Sequence, residues 1–284
     1  MTLRSYAKIN LGLHIIGKRP DGYHNIETVF HQINLFDEID IVQNDEGIHF
    51  ETDSPDLPPD SRNLCVRAAH LVQDLTGTHG GVEISLRKRI PIGGGLGGGS
   101  ANAATVLNGL VKLWSLDVSE QELETVSASL GSDVPFFIRG GTAYATGRGE
   151  KLEPFDLALP YWILVATPPV YVSTAWAYTN FTPPGVRDRQ NLRSLLGENI
   201  RNPGLLLERL QNEFEPLVFS AYPDVGRLKN VLLDGGAEFA LMSGSGSSVF
   251  GFVPNESVAK NLATTLSKDY RTSLTEPHFK PERH

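Results

Sequence analysis

At 284 residues, with 40% hydrophobic and 20% charged side chains, the chain has the composition of an ordinary globular protein and enough length for two lobes. A net charge of −8 argues against nucleic acid as a main partner, although a small phosphorylated ligand in a locally positive site stays compatible. The single cysteine, Cys65, excludes an intramolecular disulfide framework and any cysteine-cluster metal site, and no run approaches the ~20 apolar residues of a membrane span.

Leu3 to Ile16 alternates in part and reads as one strand or two linked ones, with no signal or transit segment ahead of it. Lys18-Arg-Pro-Asp-Gly-Tyr23 is a turn. Glu27 to Val42 is again extended, with Val29, Ile33, Leu35, Ile39 and Ile41 facing inward. After a break at Pro55 to Asp60, Asn63 to Thr76 has helical spacing and ends at Gly77. Val82, Ile84 and Leu86 alternate as a strand. A helix is expected from Ser100 to Trp114, and Ser119-x-x-Glu122 is a capping box opening another. Gly131 to Phe137 interrupts, and Gly140 to Glu150 reads as extended chain and turn. Tyr161 to Thr167 is a strand, Leu205 to Phe219 a single helix, Ala237 to Val253 apolar chain around a Ser-Gly insert, and Glu256 to Leu266 a final amphipathic helix. The tail from Pro277 to His284 is polar, expected to fray, and given no role. Strands and helices without regular βαβ alternation favour an α+β fold. A lobe boundary falls between residues 152 and 153, giving lobes 1–152 and 153–284.

The most informative stretch is Pro91-Ile-Gly-Gly-Gly-Leu-Gly-Gly-Gly-Ser100, where six of the seven positions from Gly93 to Gly99 are glycine. Glycine is costly to order, so so dense a cluster leading into a helix points to backbone amides closing on an anion, reinforced by the helix N-terminus. The plainer alternative is a flexible loop tip, which usually mixes glycine with serine and charge. No Lys or Arg lies between Ile90 and Gly109, which excludes a Walker A loop. A dinucleotide fingerprint fails as well, since Asp117 follows a helix and not a second strand.

The loop resembles that of the GHMP kinases, Pro-x-x-x-Gly-Leu-Gly-Gly/Ser-Ser. Two further segments resemble the family's other motifs, Ala7-Lys-Ile-Asn-Leu11 and Met242-Ser-Gly-Ser-Gly-Ser-Ser-Val-Phe250. Lys8-Ile-Asn10, Asp21-Gly-Tyr-His24, Glu27-Thr-Val-Phe30 and Gly131-Ser-Asp-Val-Pro-Phe-Phe137 are similar to one branch, whose alcohol substrate carries a cytidine diphosphate group. The resemblance implies a two-lobed α+β kinase fold with the active site between the lobes. It implies transfer of the ATP γ-phosphoryl group to a hydroxyl of a methylerythritol moiety, in the non-mevalonate route to isoprenoids. Mg²⁺ would be carried by the nucleotide, with no protein-ligated metal, nucleic acid, membrane or protein partner, in a bacterial cytoplasm. Two alternatives stay open: a relative acting on another small alcohol, such as homoserine or mevalonate, and a non-catalytic nucleotide-binding protein on the same fold.

Under this resemblance Lys8 and Asp133 are the catalytic pair. Asp133 would accept the attacking hydroxyl's proton; local sequence alone favours a helix N-cap before Val134-Pro135, and the resemblance reverses that, though both roles can coexist. Lys8 sits in an apolar stretch, where a buried ammonium needs an anion partner. Asn10 shares its face and could bond substrate hydroxyls. Tyr23, His24, Phe30 and Tyr178 would form the pocket for the base. Pro91, Gly93, Gly94, Gly95, Leu96, Gly97, Gly98, Gly99 and Ser100 would wrap the ATP phosphates, with Asn63 and Lys88 as lesser nucleotide contacts. Gly244, Ser245 and Gly246 would lie on the substrate or phosphate side, or simply turn a β-hairpin.

Overall fold

The computed structural model describes residues 1–183 and 189–282. The chain opens as a long antiparallel hairpin, β1 (Thr2–Lys18) and β2 (His24–Asn44), joined through the Arg19–Tyr23 turn. Three register shifts break the pairing, at Tyr6/Lys8, Asn10/Leu13 and Ile15/Gly17. Bulges of this kind re-aim side chains, and Lys8 and Asn10 lie between the first two. The far edge of β2 is shared. β4 (Gly81–Arg87), itself parallel to β3 (Ile48–Thr52), pairs with one end of it. β5 (Thr142–Thr146) pairs with the other end and carries β6 (Lys151–Pro154) outside it.

Helices cover one face of this six-stranded sheet. α1 (Leu64–Thr76) starts one residue later than expected, with Asn63 as its cap, and ends at Gly77 in the left-handed region, as expected. α2 (Gly98–Leu113) begins two residues earlier than expected, on the glycines themselves. α3 (Glu120–Ser127) opens with both bonds of the Ser119–Glu122 capping box. The interruption expected at Gly131–Phe137 is partly helical instead, since α4 (Val134–Arg139) starts there with Pro135 in its first turn.

The second sheet is antiparallel, in the order β10-β7-β9-β8, from β7 (Trp162–Thr167), β8 (Phe239–Met242), β9 (Val249–Val253) and β10 (Arg271–Thr275). Both its faces are buried. Ile163, Val165, Phe239, Leu241, Phe250 and Phe252 pack towards Ala7, Ile9 and Leu11 of the hairpin. Leu164, Ala166, Ala240, Met242, Val249 and Val253 pack on the opposite side against helical segments. The helices of this half are α5 (Thr174–Asn180), α6 (Leu192–Asn199), α7 (Pro203–Arg209), α8 (Glu215–Ala221), α9 (Pro223–Asp234) and α10 (Glu256–Leu266). Mixed strands and helices in two sheets make this the expected α+β architecture.

Two expectations need correction. The helix expected over Leu205–Phe219 is two helices, α7 and α8, because the segment between them is spent on the hairpin. The Leu13 amide donates to the Gln211 carbonyl and the Glu213 amide to that of Leu13. The tail is not frayed through residue 282: the His278 amide donates to the Leu159 carbonyl, and the Phe279 ring packs 5.5 Å from that of Tyr6. Arg283 and His284 lie outside the described residues. No helix among the described residues is long and apolar enough to cross a membrane.

Candidate active site

A cleft of about 800 Å³ opens between the glycine loop, the hairpin and α5. Its wall on one side is the Pro91–Ser100 loop leading into α2. The first helical bond of α2 runs from the Ala101 amide to the Gly97 carbonyl, so the amides of Gly98, Gly99 and Ser100 precede it and have no partner within the helix. The loop is wedged against its neighbours. A Cβ on Gly95 would overlap the Ser243 carbonyl, and one on Gly97 would lie 2.8 Å from the Phe137 ring and 3.1 Å from Lys8 Cε. Both glycines have positive φ, at 75° and 71°. This is a backbone cradle at a helix N-terminus, and it fits a chain of phosphates.

Lys8 and Asp133, 125 positions apart in the sequence, meet at the floor of the cleft with Nζ and Oδ2 3.4 Å apart. The Lys8 ammonium is buried, donates to Asn10 Oδ1 at 2.6 Å and to the Gly95 carbonyl at 3.2 Å, and stands 4.9 Å from the centre of the Phe30 ring. Burial pulls its pKa below the ordinary lysine value, and Asp133 opposes that. Asp133 occupies the N-cap position of α4 but makes no side-chain cap bond there, so its half-exposed carboxylate is turned to Lys8 and the cleft. Asn10 is held in turn by its own donation to Thr28 Oγ1, which donates to the Gly12 carbonyl.

At the other end, the rings of His24 and Tyr178 stack at 5.1 Å, and Tyr178 also packs edge-on to Phe214. Burial lowers the His24 pKa, favouring the neutral imidazole with one donor and one acceptor nitrogen. Tyr23 is exposed and carries the Arg148 guanidinium 4.9 Å over its ring.

The structure thus brings every expected site residue except Gly246 to the wall of one cleft. Four of them sit differently from the sequence reading. Gly246 lies behind the wall, in the turn whose amide bonds the Ser243 carbonyl. Phe30 is buried beneath Lys8 and against Phe136, outside the His24–Tyr178 stack. Asn63 spends its side chain on the Cys65 amide and the Pro58 carbonyl. Lys88 spends its ammonium on Asp37 and the Ile90 carbonyl, both at 2.7 Å. The Ser243–Ser248 segment is both things expected of it. It turns the β8–β9 hairpin, and it docks on the glycine loop through Ser243 Oγ to the Gly95 carbonyl and the Ser248 amide to the Gly94 carbonyl.

Three contributors escape the sequence reading. Arg148, between Gly147 and Gly149, lines the cleft, and a glycine-flanked cation is the one local sign of it. Asn212 donates to the carbonyls of Met242 and Gly244 and so fixes the Ser-Gly turn, with no local signal. Asp37 is a charge on the inward parity of an apolar strand, which does mark it in retrospect.

Comparison with known proteins agrees with this geometry. The model of the GHMP kinases N terminal domain matches residues 63–141, and that of the GHMP kinases C terminal region matches 187–272. A 4-diphosphocytidyl-2-C-methyl-D-erythritol kinase of Prosthecochloris aestuarii is 44% identical over 281 residues, 98% of each chain. A crystal structure of a 4-(cytidine 5'-diphospho)-2C-methyl-D-erythritol kinase superposes with a TM-score of 0.84 at 34% identity, covering 97% of this chain and 98% of that one. Homoserine kinase from Cytophaga hutchinsonii shares the fold, with a TM-score of 0.72 at 19% identity over 96% of this chain and 94% of that one. The chain therefore belongs to the GHMP kinase family and, within it, to the 4-diphosphocytidyl-2-C-methyl-D-erythritol kinases.

Proposed function

We propose that the protein transfers the γ-phosphoryl group of ATP to the 2-hydroxyl of 4-diphosphocytidyl-2-C-methyl-D-erythritol, a step of the non-mevalonate route to isoprenoids. The observation that carries this reading is one cleft holding a backbone phosphate cradle, a Lys8–Asp133 pair and an aromatic–imidazole stack. A purely nucleotide-binding protein has no need of the second and third. Homoserine and mevalonate carry no base, so the His24–Tyr178 end has no counterpart in their chemistry.

Phosphoryl transfer passes through a loose transition state, so the protein contributes positioning and charge. The free amides of Gly98 to Ser100 hold the phosphates, and the glycines let the backbone approach them. ATP bound there would supply the phosphoryl group, and Mg²⁺ carried with it would neutralise phosphate charge; the Ser100 hydroxyl is an oxygen donor of the kind that ion takes. Asp133 receives the proton of the attacking hydroxyl. The Lys8 ammonium holds the Asp133 carboxylate in place and stabilises charge gathering on the transferred group. Asn10 orients the acceptor. Tyr178, Tyr23 and His24 take the cytosine by stacking and by its polar edge, and the Arg148 guanidinium meets the diphosphate. The same proposal divides the chain into lobes at residues 152 and 153 and sets it in the cytoplasm of a bacterium.

The test is ADP release with Mg·ATP and three alcohols: the cytidine compound, homoserine and mevalonate. Turnover of the first alone, with its mass raised by one phosphoryl group, is the expected result. Turnover of either of the others would overturn the substrate assignment.

A further inference from the structure

Asp37, on β2, accepts four hydrogen bonds beside the cleft, although it does not line it. It is fully buried. Oδ1 accepts from the amides of Arg89 at 2.6 Å and Ile90 at 2.8 Å. Oδ2 accepts from Lys88 Nζ at 2.7 Å and Asn102 Nδ2 at 2.9 Å. The first three donors belong to the chain entering the glycine loop, and the fourth to α2 just beyond it. One side chain therefore fastens both ends of the Pro91–Gly97 loop to the sheet.

The charges are arranged to leave the cradle undisturbed. A lone carboxylate under a phosphate site would repel the ligand, and Lys88 cancels it. Lys88 Nζ also stands 3.0 Å from where a Cβ on Gly98 would be, directly behind the first free amides of α2. Its donation to the Ile90 carbonyl closes the entry segment onto the same ion pair.

We infer that Asp37 is a positioning residue for the nucleotide: it sets the distance between the two ends of the glycine loop and thereby the aim of the amides at the head of α2. This rests on the glycine loop being the ATP site. Asp37 ties down only the two ends of the loop and touches none of the residues assigned to the alcohol, so its loss should weaken ATP binding far more than it disturbs the alcohol's site. In Asp37→Asn the two backbone bonds survive, but an amide donor or an uncharged oxygen faces Lys88 and Asn102. Hydrogen bonds to charged groups contribute enough that the Kd for Mg·ATP should rise at least about tenfold. Asn102→Ala, which keeps the ion pair and removes the far tie together with the donation to Ser5 Oγ, should raise it by a few fold. Because both variants break one tie, the double variant should fall short of the product of the two effects.

The experiment is calorimetric titration of each variant with Mg·ATP, alongside KM for the alcohol substrate. The expected result is a raised ATP Kd with the alcohol KM held within about twofold. An ATP Kd unchanged or lowered, or a rise in both constants together, overturns the inference. Should Asp37→Asn fail to fold, Asn102→Ala carries the same test by the same criteria. Absence of ATP binding by the unaltered protein would overturn the nucleotide reading itself, a result distinct from any of these.

Discussion

Gly95→Ala probes the dependence of catalysis on the fit between the glycine loop and the Ser243–Ser248 turn. Gly95 has φ +75°, and an added Cβ would meet backbone: 3.0 Å from the Ser243 carbonyl carbon, 3.1 Å from the Gly246 oxygen, and closer still to the Ser243 oxygen. Backbone on both sides cannot swing aside as a side chain can, so the loop must retreat by on the order of 1 Å. The Gly95 carbonyl accepts from both Lys8 Nζ and Ser243 Oγ, so that retreat carries the Lys8 ammonium away from Asp133. A misplacement of about 1 Å costs roughly 10²-fold in rate, which sets the expected loss in kcat/KM. Gly77→Ala is the control. It shares a positive φ of 70°, ends α1 away from the cleft, and its Cβ would meet nothing within 4 Å. It should cost only the left-handed strain of about 1–2 kcal/mol, a fall of a few degrees in Tm, with kcat/KM unchanged. Steady-state kinetics and thermal melts of the two variants decide the matter. Equal rate losses in both, or full activity in Gly95→Ala, would show that the loop does not set the place of Lys8.

Asp133→Asn should lower kcat by about 10²–10⁴-fold while the Kd for Mg·ATP stays within about threefold; lost nucleotide binding would make Asp133 structural. Because burial pulls Lys8 below its ordinary 10.5, kcat should fall as pH rises towards that value, and Lys8→Arg should flatten this alkaline limb. The folded state gives up that proton more readily than the unfolded chain, so Lys8 costs stability at neutral pH and the cost fades as pH climbs. The alkaline loss should therefore come without unfolding in a parallel melt. Tyr178→Leu should raise KM for the cytidine substrate about tenfold, from a stacking contribution of roughly 1–3 kcal/mol, and leave KM for ATP alone. Burial pushes His31 from 6.5 down to about 4, and at about 1.4 kcal/mol per pH unit that difference is about 3 kcal/mol of stability, lost as pH falls from 6.5 through 4. His31→Gln should flatten that stretch of the urea-unfolding profile, and an unchanged slope would exclude His31 as its source.

What the sequence discloses is what local rules govern. The Ser119–Glu122 box, the Gly77 end and the bounds of α10 follow from capping and periodicity, and all stand in the structure. The glycine loop is legible because no local need explains so many glycines. The rest depends on contacts distant in sequence. Nothing around Lys88 says that its ammonium is taken by Asp37, 51 positions away. The helical spacing across Leu205–Phe219 conceals Asn212, whose amide is drawn out to the β8–β9 turn and breaks the helix there. Phe30 reads as one more aromatic for the base, yet bulges in β1 set Lys8 above it. The approach of Lys8 to Asp133 is likewise invisible to periodicity, and only the family motifs pair them.

The most direct test of the account is the ³¹P spectrum of the product formed from Mg·ATP and 4-diphosphocytidyl-2-C-methyl-D-erythritol. A new phosphomonoester resonance on the methylerythritol arm, matching ADP one for one and leaving the diphosphate resonances in place, is the predicted result. Inorganic phosphate alone, or loss of the diphosphate signals, would contradict the claim that Lys8 and Asp133 face the acceptor hydroxyl.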